Sequence, residues 1–388
     1  MKKLYHPGIP CNENIVQKDL EKSLINFRNK RIEIVECNEG FGVFDKDWFW
    51  ATKEELDSLK KCPDISIRYF LDNEKFNHEG WFFYNPIELG IELTRECNQL
   101  CIHCWNESSS RDTKMPLKKA KEIIQEFRKG GGQKIKISGG EPLSYSSLDE
   151  FLFFSKEVGI KKVDMTSNGV LMNREKAKFL STHLTNICIS IHGSKSDIHD
   201  DITYNKGSFV KSIKAIEHLQ EEGLNPIINY TVMQKNKKDI ADMIELGKIL
   251  NVNGIKFSCL KKIGRARNLE VISKEEVNTL RNLIYTKSKE LGIELEKSEL
   301  YPAGYVQGIS QSKFYGCNGL RTQLYISSEG NVYPCSLINE SIGNIYQDSL
   351  FNLWRSKKAQ EFRRLDNCIK NDCKIIRDCG RKCRASLK

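Results

Sequence analysis

Between residues 86 and 292 short apolar runs alternate with amphipathic ones, and no other feature of the chain narrows its fold as far. "PIELGIELT", "QKIKISG", "KKVDMTSN", "NICISIHG", "NPIINYTVM" and "NGIKFSC" are short and rich in β-branched residues, as strands are. Each precedes a helical run. The first, "PLKKAKEIIQEFRKG", has Pro116 at its start and glycines at its end. The others are "SLDEFLFFSKEVG", "NREKAKFLSTH", "SFVKSIKAIEHLQEEG", "KKDIADMIELGKILN" and "SKEEVNTLRNLIYTKSKELG". Six strand–helix units in series predict a parallel sheet covered by helices. A closed TIM barrel needs eight. The expected fold is therefore α/β, a partial (β/α)6 TIM-like barrel over residues 85–299.

The flanks read differently. Residues 1–84 carry strand-like "RIEIVEC" and "GFGVFDKDWFWAT" and a short helical run, "KEELDSLKKC", stopped at Pro63. They predict a small α+β module, suited to docking a peptide on a strand edge. Residues 300–388 lose the rhythm and are expected to form a loop-rich domain whose core is partly metal. No run of about 18 apolar residues occurs, so no membrane span is expected. "MKKLYHPGIPCNEN" has no apolar stretch after its lysines, so no signal peptide is expected and the cytoplasm is the predicted compartment. The net charge of +10 suits an acidic partner such as a nucleic acid, an acidic peptide or an acidic electron-transfer protein, and charge alone does not choose among them.

Fourteen cysteines are too many for a reduced compartment to use as disulfides, and close spacing points to metal or redox chemistry. Cys97, Cys101 and Cys104 form C-x3-C-x2-C directly after the first strand. Thiolates favour iron–sulfur clusters or zinc. A zinc site would want a fourth ligand, for which His103 is the local candidate. A cubane 4Fe–4S cluster would use the three thiolates and leave one iron open to a small molecule with an amine and a carboxylate. Other polar signals follow later strands: "SGGEP", "TSNG" and "SIHG". In barrels of this kind the chemistry sits at that edge. Cys188 and Cys259 lie within strands and are expected to be buried structural thiols.

The triplet with Trp105 after it resembles the signature of the radical S-adenosylmethionine (radical SAM) enzymes, and Gly139, Gly140, Glu141 and Pro142 resemble the family's "GGEP" motif. The resemblance implies a 4Fe–4S cluster whose open iron binds SAM and, with one electron, yields a 5′-deoxyadenosyl radical that abstracts hydrogen. It implies that Glu141 meets the SAM ammonium, Ser167 and Asn168 the ribose, and Arg265 the carboxylate. Ser190 is a further candidate contact, and Trp105 would border the adenine. His192 stands where the related "SLDG" motif has aspartate. His199 and Asp200, in "IHDDI", match a common family sequence to which no role is assigned.

Cys317 and Cys335 in C-x12-G-x4-C, then Cys368, Cys373, Cys379 and Cys383, resemble the SPASM extension of peptide-modifying radical SAM enzymes. That family holds two auxiliary 4Fe–4S clusters, with a C-x2-C where this chain has C-x4-C and a seventh cysteine that has no counterpart here. Matching implies that Cys317, Cys335 and Cys383 share one cluster and Cys368, Cys373 and Cys379 the other. One or two auxiliary clusters are therefore expected. The function implied is maturation of a ribosomally made peptide, as by sactipeptide thioether synthases, with a flavodoxin or ferredoxin as electron donor. Formylglycine formation of the sulfatase-maturase type and peptide epimerisation are the enzymatic alternatives. A non-catalytic iron–sulfur regulator or nucleic-acid binder would have no use for the "GGEP" motif.

Overall fold

The computed structural model describes the strands of the first 84 residues and then residues 85–109, 113–296 and 319–363. The leading strands are β1 (Leu4–Tyr5), β2 (Arg31–Cys37), β3 (Gly40–Phe44), β4 (Trp48–Ala51) and β5 (Ser66–Phe70). They form one sheet in the order β1-β4-β3-β2-β5, in which only β2 and β5 run parallel. "RIEIVEC" is β2, and "GFGVFDKDWFWAT" contains both β3 and β4. The helix expected over 53–62 lies outside the described residues.

All six expected barrel strands form: β6 (Glu88–Glu92), β7 (Lys134–Ser138), β8 (Lys162–Ser167), β9 (Asn186–Ser190), β10 (Ile227–Val232) and β11 (Gly254–Cys259). They lie side by side in chain order, every pair parallel, so their carboxyl ends share one edge. The connecting helices are α1 (Leu117–Lys129), α2 (Leu148–Glu157), α3 (Arg174–His183), α4 (Ser196–Thr203), α5 (Ser208–Glu221), α6 (Ile240–Ile249) and α7 (Lys274–Leu291). In α1 the buried residues Ala120, Ile123, Ile124 and Phe127 recur at helical spacing. A capping box of Ser273 and Glu276 starts α7, and Gly292, at φ 66°, ends it.

One helix was not expected from the sequence. α4 covers "SDIHDDIT", too short and polar to show a clear period. It exists because Ile202 buries against Met233, Leu260 and Ala266, with Ile198 packed alongside.

The sheet has two unlike faces. Leu89, Ile91, Ile135, Ile137, Met165, Ile187 and Ile189 alternate along the strands and join one core with the helices. The intervening residues form a polar face, where Lys134 reaches Asp164 at 2.5 Å and Lys136 reaches Glu88 at 2.6 Å. Cys188 and Cys259 are half-buried rather than sealed. Cys188 alternates onto the polar face, whose cations and carboxylates surround its thiol.

The described part of the tail continues this sheet. β12 (Gln323–Ile326) pairs parallel with β6, Gln323 opposite Glu88. It then turns at Gly330, φ 81°, into β13 (Asn331–Tyr333), which pairs with β14 (Gly343–Asn344). Helices α8 (Leu350–Arg355) and α9 (Lys357–Arg363) follow. Among the described residues no helix is long and apolar enough to cross a membrane.

Candidate active site

The segment after β6 is held as a closed loop. Its limbs pair where Arg95 N donates to Thr113 O (2.8 Å) and Cys97 N to Ser109 O (2.7 Å). Between them lie Cys97, Cys101 and Cys104, all half-buried free thiols. Other elements grip the loop from outside. Leu100 N and Ile102 N donate to Thr203 O and Ile202 O at the end of α4, at 3.1 and 3.0 Å. Arg265 donates through its backbone N to Cys104 O (3.0 Å), through Nε to Cys101 O (2.8 Å) and through Nη1 to Ser108 O (2.9 Å).

The glycines after β7 hold the base of this loop. Gly140 N donates to Thr94 O (2.9 Å) and Glu141 N to Glu96 O (2.7 Å). A Cβ on Gly140 would stand 2.1 Å from Glu96 O, and Gly139 has φ 124°. Only residues without a side chain let the two loops meet. Glu141 is buried, and its carboxylate accepts from Ser167 Oγ (2.7 Å), Asn168 N (2.7 Å) and Leu143 N (3.0 Å). It joins the ends of β7 and β8. Asn168 Nδ2 donates to Asn98 Oδ1 at 2.6 Å and lies 3.9 Å from Cys97 Sγ.

The polar signals expected at the strand ends therefore meet around one cysteine loop, and comparison with known proteins agrees. The model of the radical SAM superfamily matches residues 91–247, and that of the SPASM iron–sulfur cluster-binding domain matches 317–384. The chain carries a radical SAM domain and a SPASM domain. The antilisterial bacteriocin subtilosin biosynthesis protein AlbA of Bacillus subtilis is 27% identical over 354 residues, which span 86% of this chain and 75% of AlbA. The AdoMet-dependent heme synthase of Methanosarcina barkeri is 27% identical over 299 residues, 72% of this chain and 84% of that protein. Streptococcus suis SuiB, solved bound to S-adenosylmethionine, superposes with a TM-score of 0.66 at 18% identity, over 79% of this chain and 75% of SuiB; it has also been solved bound to its precursor peptide SuiA.

The radical SAM domain binds a 4Fe–4S cluster and SAM, and the SPASM domain binds auxiliary iron–sulfur clusters. The residues present fit the first cluster. Three thiols share one loop, and the charges of Cys97 and Cys104 both bear on Cys101. Among the described residues no three His, Cys, Asp or Glu side chains converge tightly enough for a single metal ion. His103 turns instead to His192, ring centroids 4.2 Å apart at 74°. Burial first, then the nearby Glu141 carboxylate, pushes the Cys97 thiol up to about 12, and burial pushes Cys101 up too. Thiolates form here only when a cation such as iron compensates them.

Other expected site residues are placed as follows. In this structure Ser167 Oγ donates to Glu141, and the Arg265 guanidinium holds the cysteine loop through its carbonyls. Ser190 ends β9, with Asn229 Nδ2 3.4 Å from its hydroxyl. Pro142 opens a short 3-10 turn, Pro142–Ser144. Trp105 stands edge-on to Tyr325, centroids 5.7 Å apart. Cys335 is half-buried just after β13, whereas Cys317, Cys368, Cys373, Cys379 and Cys383 lie outside the described residues.

One group escaped the sequence reading, and a second was noted there without a role. Glu92, buried at the end of β6, accepts from Asn106 Nδ2 (2.6 Å), Tyr325 OH (3.1 Å), Ser328 N (3.1 Å) and Ser328 Oγ (2.6 Å). All its lone pairs are taken, and it ties the cysteine loop to the β12–β13 hairpin. Two glutamates four apart in an apolar strand, Glu88 and Glu92, were the available signal. The second group is the "IHDDI" helix. His199 Nδ1 accepts from His192 N (3.0 Å), and Asp200 accepts from Gly207 N (2.6 Å), Phe209 N (2.8 Å) and Ser208 Oγ (2.9 Å). These bonds anchor the helix on which the cysteine loop rests.

Proposed function

We propose that this radical SAM enzyme modifies a ribosomally made peptide, forming a thioether or another intramolecular crosslink. The observation that carries the reading is a cavity of about 230 Å³. Trp105 and Asn106, which follow Cys104, are among its lining residues, as are Ser336 and Asn339, which follow Cys335. A side chain entering it would meet residues of both the SAM cluster loop and the SPASM segment. The likeness to AlbA and to SuiB, with its precursor-bound structure, supports a peptide as substrate.

The residue roles follow from this reading. Cys97, Cys101 and Cys104 hold the SAM cluster. Gly139, Gly140, Glu141, Pro142, Ser167, Asn168, Ser190, Arg265 and Trp105 shape the SAM pocket around it. Cys317, Cys335, Cys368, Cys373, Cys379 and Cys383 serve the auxiliary clusters. Residues 1–84 hold the peptide's leader, 85–299 form the barrel and 300–388 the auxiliary domain. A flavodoxin or ferredoxin supplies electrons in the cytoplasm. When bound, the cluster and SAM together supply a 5′-deoxyadenosyl radical. The chain's own residues orient the peptide and exclude water. Thioether formation removes two hydrogens overall, a hydrogen atom from carbon and a proton from the thiol, and needs a one-electron acceptor, which an iron–sulfur cluster held by the SPASM cysteines would supply when bound.

The test is anaerobic incubation of the reconstituted enzyme with SAM, a reductant and a cysteine-bearing peptide encoded beside its gene. A product lighter by two hydrogens, with the cysteine no longer alkylated, is expected. Conversion of Cys to formylglycine, or unchanged mass with inverted stereochemistry, would refute crosslinking in favour of the maturase or epimerase reactions.

A further inference from the structure

Two buried side-chain nitrogens within the cysteine loop have no hydrogen-bond partner among the described residues: Gln99 Nε2 and His103 Nδ1. Both belong to residues between Cys97 and Cys104. Gln99 is only 4% exposed. A buried polar group left unpaired costs about 1–3 kcal/mol, and native structures leave few of them.

The surroundings identify an acceptor. Gln99 Oε1 accepts from the Cys101 thiol at 3.5 Å. Asn168 Nδ2 lies 3.9 Å from Cys97 Sγ. Side-chain amides therefore already touch two of the three sulfurs. A cysteine that ligates iron has lost its proton and only accepts. The Gln99 carboxamide then faces the Cys101 sulfur with the wrong end. Rotation about its last bond exchanges Oε1 for Nε2 and brings an N–H to the sulfur. The His103 ring has little freedom to turn elsewhere. It packs edge-on against His192, whose Nδ1 accepts from Thr231 N at 3.2 Å and whose backbone N donates to His199.

We propose that Gln99 donates an N–H···S hydrogen bond to the Cys101 sulfur of the SAM cluster and thereby raises its reduction potential. Reduction adds negative charge to the cluster, and an N–H aimed at sulfur stabilises the more negative state more strongly. Hydrogen bonds to sulfur are among the main levers on such potentials. Gln99 thus tunes the driving force with which the reduced cluster passes its electron to SAM. The inference rests on the cluster alone and is independent of the peptide substrate.

The test is an EPR-monitored redox titration of the anaerobically reconstituted full chain, with iron and sulfide content measured alongside. The SAM-cluster signal is assigned as the one absent from Cys101→Ala. Gln99→Leu should move its midpoint to more negative potential. Gln99→Glu keeps the shape, removes both N–H groups and adds charge, so it should shift most. Pulsed EPR in heavy water should show an exchangeable deuteron coupled to the wild-type cluster that the leucine variant lacks. Unchanged midpoints, or unchanged deuteron couplings, would overturn the proposal. If a variant fails to load the cluster, wild-type protein labelled with ¹⁵N in the glutamine side chains decides. Coupling of side-chain ¹⁵N to the cluster supports the proposal, and its absence refutes it.

Discussion

The polar face of the barrel sheet treats the same residue type oppositely at its two ends. Near the amino ends of the strands, burial alone would raise the Glu88 carboxyl, but Lys136 and Lys134 pull it below its ordinary value. Near the carboxyl ends, burial raises Glu141 and Glu92, and hydrogen bonds alone offset it. The floor is held by ion pairs and hydrogen bonds: Asp164 takes Lys134 at 2.5 Å and Asn186 Nδ2 at 2.9 Å. The mouth carries three thiols and the unpaired Gln99 and His103 nitrogens. Internal ion pairs close one end, while the other keeps groups that need a ligand to be satisfied.

The largest test of this contrast removes a ligand from the mouth. Cys101→Ala should abolish release of 5′-deoxyadenosine and the SAM-dependent EPR signal, with the thermal transition of the metal-free protein nearly unmoved. Retained turnover would break the comparison at its root.

Gly140→Ala comes next. Its Cβ would meet the Glu96 carbonyl at 2.1 Å, backbone against backbone with nothing flexible to yield. Overpacking of this kind costs about 1–3 kcal/mol. A lower melting temperature and reduced iron incorporation are expected together, because the strained contact is the one that seats the cysteine loop. Loss of stability with full iron loading would separate the two.

The floor should respond more weakly and in stability alone. The Lys136 side chain is 46% exposed, so Lys136→Met should cost about 1 kcal/mol. The sign with pH follows from the lowered Glu88 carboxyl. The pair's contribution is present above the unfolded-state value of Glu88 and is lost as pH falls through the folded-state one. The variant should therefore lose most near neutral pH and converge with wild type in acid, as urea unfolding at a series of pH values would reveal. Deoxyadenosine release should not change.

The smallest effect is a rate in the metal-free protein. With Cys97 raised to about 12, its alkylation by iodoacetamide should rise about tenfold per pH unit from pH 7 to 10, with no plateau near 9. Peptide mapping of the alkylated protein measures this directly.

Much of the fold was readable because it is local. The alternation of Leu89 with Gly90, or of Ile123 with Phe127, reports strand and helix periods within a few residues of chain. The placement of "SGGEP" and "TSNG" beside the cysteine loop followed from counting parallel strands, since every carboxyl end then falls on one edge. What escaped was non-local. The pairing of β12 with β6 joins residues more than 230 apart, and no pattern in "TQLYIS" names its partner. Nothing near Glu92 in the sequence marks it as a hub, because its partners Asn106, Tyr325 and Ser328 come from distant segments.

By itself the chain's order of residues determined the number and direction of the barrel strands and the three-thiol loop, because hydrogen-bond periodicity and cysteine spacing are written in neighbouring positions. Only the tertiary structure decided which polar atoms are satisfied. Whether Glu141 binds Ser167, or Gln99 and His103 are left waiting for an acceptor, depends on burial and on partners brought together from distant segments.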